Sequence, residues 1–191
     1  MKKNHLLAAS LLALTIACND SNDDKADPYA ANTADRAESA NKENAAVDKA
    51  TSDFMIEAAN GGMMEVMAGQ MAQTNAQSQE VKNFGTMMVN DHNMANEELK
   101  ALAAARNVAL PAMAEGRHRE HVNELGKKAG AEFDKAYMNM MVDDHKKNIE
   151  LFENAVNNAT DSAVKAFAAK TLPKLKAHHE AAVNLQKQLK Q

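Results

Sequence analysis

Four stretches of the sequence repeat apolar residues at intervals of three and four. Each repeat is interrupted once, near its middle, by a side chain that prefers water. Phe54, Ala58, Gly61, Ala68 and Ala72 flank Glu65. Val81, Phe84, Met88 and Leu99 flank His92. Met138, Met141, Ile149 and Phe152 flank His145, and Val164, Ala168, Leu175 and Ala182 flank His178. The spacing predicts amphipathic helices over about 51–74, 79–106, 131–158 and 162–189. Ser52 or Asp53 is placed to cap the first, and Asp161 or Thr160 the last. Pro173 falls inside the fourth and predicts a kink or a split there. Composition agrees with helices: 45% of residues are hydrophobic, yet only 4% are aromatic, Trp is absent, and Gly (7) and Pro (3) are scarce. A sandwich or barrel would need more turn residues and more β-branched or aromatic strand positions.

The connections set the topology. Only a few residues separate the first helix from the second and the third from the fourth, so each pair must run antiparallel. The second connection, 107–130, is long enough to traverse the bundle and leave the second and third helices parallel, with a short helix over about 117–127. The expected fold is therefore all-α: a ferritin-like four-helix bundle with one long crossover that carries a short helix. Simple up-down order with a loose excursion is the other topology open to such a chain.

The front of the chain reads as an address. Lys2 and Lys3 precede the apolar run from Leu6 to Ile16, which is too short to span a bilayer as a mature helix. It ends in Thr15-Ile16-Ala17-Cys18, which resembles the lipobox of bacterial lipoproteins, with Thr15 standing where Leu is usual. An ordinary secretory signal with an incidental cysteine is the blander reading. The resemblance implies a signal peptide over 1–18, acylation of Cys18 and attachment to a membrane through the lipid anchor. Asn19, rather than Asp, follows the cysteine and points to an outer membrane lipoprotein facing the periplasm or the cell surface. The run from Asn19 to Asp24 is similar to the acidic export signals of some Bacteroidota surface lipoproteins. Residues 19–50 are rich in Asn, Asp, Ser, Ala and Lys without apolar period, and are expected to be a disordered acidic tether to a domain over 51–190. A single cysteine excludes an internal disulfide. A net charge of −4 without a basic stripe leaves no basis for nucleic-acid binding, and no protein partner is named by the sequence.

The four interruptions fall at similar depths in their helices. At 1.5 Å rise per residue they lie within about one or two turns of a common level. The run from Met87 to His92 is echoed by the run from Met140 to His145, and small residues (Gly61, Gly62, Ala68, Gly69) flank Glu65 and allow close backbone approach. Three imidazoles and a carboxylate facing one another suit a transition-metal ion, with Fe, Zn, Mn and Cu as candidates. Asp91 and Asp144 each sit about 100° round the helix from their neighbouring histidine. From there they could orient an imidazole from behind or bind directly. A closed metal-free network, with Glu65 accepting from two imidazoles, is equally consistent with the residue types, as is accidental placement. Carboxylate-bridged di-iron chemistry needs Glu-x-x-His, and Val89, Val142 and Leu175 occupy the required positions. Met63, Met67 and Met71 repeat every four residues, and Met88 and Met141 precede core histidines by one turn. Thioethers suit Cu(I), but methionine is also the flexible filler of helical cores. His118, His121 and His179 read as exposed crossover or flank residues. No nucleophile motif or phosphate loop appears. The expected role is therefore non-enzymatic, either partner binding or envelope support, with a metal-binding or metal-dependent redox bundle as the alternative.

Several runs together resemble the domain-of-unknown-function 4142 family: Phe54 with Ala58-Ala59-Asn60-Gly61-Gly62-Met63-Met64-Glu65-Val66, Val81-Lys82-Asn83-Phe84, Met88-Val89-Asn90-Asp91-His92, Phe133-Asp134-Lys135-Ala136-Tyr137, Asp144-His145, and Thr171-Leu172-Pro173 with His178. They extend over about residues 51–188. The resemblance implies a ferritin-like bundle and an outer-membrane association, and it implies no particular activity.

Overall fold

The computed structural model describes residues 47–189. Five helices follow one another: α1 Lys49–Asn75, α2 Gln79–Ala104, α3 Gly116–Leu125, α4 Gly130–Asn158 and α5 Ser162–Gln188. Helix α1 starts earlier than the sequence predicted. Asp48 is its cap, accepting from the Thr51 amide at 2.8 Å, while Ser52 and Asp53 instead bond Lys49 within the first turn. Asp48 also accepts from the Thr160 hydroxyl, so the start of α1 is fastened to the α4–α5 turn. The folded unit thus reaches a few residues into the stretch expected to be tether. Cys18, the signal segment and residues 19–46 lie outside the described residues.

Asp161 caps α5, accepting from the amides of Ala163 and Val164 at 2.9 Å, as its position in the sequence suggested. Of the kink or split expected at Pro173, the split does not occur: α5 runs through it as one helix. The missing amide removes one intrahelical bond, and apolar packing on both sides of the proline holds the remaining turns together.

Helices α1 and α2 form one antiparallel pair and α4 and α5 the other, with α1 beside α4 and α2 beside α5. Successive contacts fix the directions. Phe54 meets Phe152 (ring centroids 5.1 Å apart), while Ala76 bridges to Gly130, so α1 and α4 are antiparallel. Phe84 meets Tyr137 and His92 meets His145, so α2 and α4 are parallel, as the long crossover requires. The crossover leaves α2 through Asn107, whose left-handed backbone (φ 53°) suits its residue type, and α3 then lies against α1 and α4. Asp134 of α4 is buried and accepts from the amides of Gln77 and Ser78 at 2.9 and 2.8 Å, tying the α1–α2 turn to α4.

Because α2, α3 and α4 all pack on it, α1 is buried on most of its circumference, including Thr51, Ser52 and Asn60. Its glycines meet that demand. A Cβ on Gly69 would stand 2.7 Å from the carbonyl oxygen of Gly85, so two helices touch backbone to backbone there. The core divides into two apolar layers. Met64, Met88, Phe133, Tyr137 and Met141 lie in one. Phe54, Leu99, Phe152, Phe167 and Leu175 lie in the other. Glu65, His92, His145 and His178 occupy the level between them. Among the described residues no helix is long and apolar enough to cross a membrane.

Candidate metal centre

The structure brings the four interruptions together. Glu65 and His145 are fully buried, and His178 and His92 are 3% and 6% exposed. The three imidazoles form a triangle, with ring centroids 5.4, 5.5 and 5.7 Å apart. One ring nitrogen of each lies within 4.8 Å of one from each of the others. The three rings come from α2, α4 and α5, and each sits in the middle of its helix on the face that its stripe defines.

On two of the rings one nitrogen is held from behind by a hydrogen bond. His145 Nδ1 donates to the Met141 carbonyl at 2.9 Å, an in-helix bond that fixes the ring orientation. His178 Nε2 donates to Asp91 Oδ2 at 2.8 Å. Asp91 also accepts from Lys174 at 2.8 Å, and these two partners keep its carboxyl below the ordinary value despite partial burial. His92 Nδ1 lies 3.0 Å from Glu65 Oε2, off the line of a hydrogen bond. The opposite nitrogens, Nε2 of His92, Nε2 of His145 and Nδ1 of His178, are buried and have no hydrogen-bond partner among the described residues. Three ring nitrogens thus have no partner among the described residues between two apolar layers, where each such group is costly.

Electrostatics follow from burial. Desolvation holds the His145 imidazole down at about 3. It also lowers His92 and His178, with the neighbouring rings adding to the effect on His92. The rings are thus neutral, the form that binds a metal. Glu65 is pushed the other way, first by desolvation and then by the negative charge of Asp144; Asn148 opposes both by donating to Glu65 Oε1 at 3.2 Å. Glu65 is not part of the converging set. Its carboxyl stands behind the rings, 3.0 Å from His92 Nδ1 and 3.3 Å from His145 Nδ1. Of the four residues that the sequence grouped, three histidines converge and Glu65 stands beside them. A cavity of about 20 Å³ beside Glu65, His92 and Asn148 has room for one water.

Asp91 does take the orienting role that its position allowed. Asp144 does not. Its buried Oδ2 has no partner among the described residues, and it lines the cleft under α3 instead of meeting an imidazole. His118, read from the sequence as exposed, is 7% exposed and lies 3.1 Å from Glu57 Oε1. The reason is the docking of α3, whose inner face carries His118, Val122 and Leu125. Sequence reasoning also missed Asn148 and the buried Tyr137, whose phenol is raised by burial and by the nearby Glu65. Asn148 sits three residues beyond His145 on the same inner face, and that spacing was the available signal. Met67 is 37% exposed on the outer side of α1, while Met88 and Met141 are fully buried filler within the apolar layer.

No curated protein and no solved structure matches the chain. The family model for Domain of unknown function (DUF4142) matches residues 36–185, most of the sequence and all four long helices up to the last turn of α5, so the chain belongs to that family.

Proposed function

We propose that this bundle binds one transition-metal ion through Nε2 of His92, Nε2 of His145 and Nδ1 of His178. The observation that carries the proposal is a triangle of buried imidazoles with one unpartnered nitrogen on each ring, two of the rings held by an oxygen at their other nitrogen, the Met141 carbonyl and Asp91 Oδ2. Ligating histidines share that arrangement, because an acceptor behind the ring fixes the tautomer and raises the basicity of the free nitrogen. Three neutral imidazoles suit zinc, copper or iron better than manganese, which prefers oxygen. Asp91, held ionised by Lys174 and His178, provides negative charge beside the rings, which a dication between apolar layers needs. Three protein ligands leave a coordination position free, next to the space that can hold a water. At the other end of the chain, Cys18 and the apolar run before it support attachment to a membrane by a lipid anchor, with the acidic segment as a tether.

The test is the metal content of the full chain purified without a polyhistidine tag and after incubation with zinc, cobalt, copper, iron and manganese in turn. One equivalent that disappears in His92→Ala and His145→Ala supports the centre. No stoichiometric binding of any of these ions would overturn it.

A further inference from the structure

The centre is sealed by its own helices, so an ion must reach it by some route. A cleft of about 460 Å³ opens between α1, α3 and α4. Its walls carry two polar groups that the fold leaves unsatisfied. Asp144 is 6% exposed, and its Oδ2 has no partner. His118 is 7% exposed, and its Nδ1 has none. Glu57 explains the state of that nitrogen: its carboxylate faces His118 Nε2 at 3.1 Å and pairs with Arg117 as well, so the ring proton sits on Nε2 and Nδ1 presents a lone pair. Lys147 stands 3.8 Å from the other Asp144 oxygen on an exposed side chain and leaves Oδ2 unmet. Two buried acceptors without a hydrogen-bond partner on the wall of one cleft suit a cation.

The floor of this cleft leads inward. Asn148 lines both the cleft and the small cavity beside His92, and it donates to the Glu65 carboxyl that backs two rings of the centre. We propose that the cleft is the port of the metal centre: the incoming transition-metal ion is held first by Asp144 Oδ2 and His118 Nδ1, then passes Asn148 to the three histidines. This rests on the three-histidine reading above. The competing route is the α2–α5 seam, where Asp91 is partly exposed beside Lys174.

The test is the rate at which the metal-free full chain takes up Co(II), followed by its visible absorption. Equilibrium affinity is measured in parallel by chelator competition. Asp144→Asn and His118→Ala slow uptake by about tenfold or more, in line with the loss of local steering charge and ligand. The final spectrum and the equilibrium affinity stay close to those of the unchanged chain. Lys147→Ala, which removes a cation from the rim, quickens uptake. A chain that takes up no Co(II) ends the centre itself. If the chain binds Co(II) but Asp144→Asn loads at the unchanged rate, or only Lys174→Ala alters the rate, the port is overturned and the centre stands.

Discussion

Asp91 Oδ2 accepts from His178 Nε2 at 2.8 Å across the α2–α5 seam, and that bond leaves Nδ1 of the same ring buried and without a partner among the described residues. Asp91→Asn keeps an acceptor in place but removes the charge that makes the imidazole a stronger donor to a metal. Metal affinity is expected to fall about 10- to 100-fold, the usual cost of losing such a backing group. Chelator competition measures it, and unchanged affinity would show that Asp91 serves only the Lys174 pair.

The metal-free chain should lose stability on mild acidification. His145 titrates at about 3 in the fold against 6.5 unfolded, and His92 and His178 are also held below 6.5 by burial. Between the folded and unfolded values the unfolded chain binds more protons. The histidine contribution is therefore intact above 6.5 and declines as pH drops toward the folded values. Glu65, raised above 4.5, works in the opposite sense: its contribution is intact below 4.5 and declines as pH rises through its folded value. Three groups outweigh one, so urea midpoints with chelator present should fall from pH 7 to pH 5. Asp91, Lys174 and His179 also face these rings, so the comparison that isolates the core is with His145→Gln, which should show a shallower fall. Identical slopes would refute the assignment.

Close contact between α1 and α2 should limit what Gly85 can become. A Cβ there would stand 2.7 Å from Ala72 Cβ and 2.8 Å from the Gly69 carbonyl oxygen. Gly85→Ala gains about 1 kcal/mol of helix propensity, but overpacking typically costs about 1–3 kcal/mol. The expected outcome is a net loss of stability in denaturant unfolding, larger for Gly85→Leu. A more stable Gly85→Ala chain would mean that the two backbones can separate freely.

Cys18→Ser should shift the protein from the membrane fraction to the soluble fraction, because each acyl methylene contributes about 0.8 kcal/mol of membrane affinity. Fractionation with immunodetection decides it. Retention of the serine variant on membranes would mean that something other than the anchor holds the chain there.

Most of the architecture was legible because it is local. The stripes of α2, α4 and α5 name their buried faces, and the long crossover implies parallel α2 and α4, which the His92–His145 contact bears out. Legibility failed where a residue's surroundings come from elsewhere in the chain. His118 looks like a surface residue until α3 docks on α1 and buries it. Asp91 and Asp144 are equivalent in the sequence, each one residue before a core histidine, yet one meets His178 and the other turns toward α3.

Taken alone, the order of residues determined the helices, their inward faces and the depth of each polar interruption, since a fixed rise and a fixed angle per residue make those quantities arithmetic. Only the tertiary structure decided which nitrogen of each imidazole is engaged and which is left over. That depends on acceptors supplied by neighbouring helices at hydrogen-bond range, where about an ångström of helix displacement or a half-turn of a ring exchanges one nitrogen for the other.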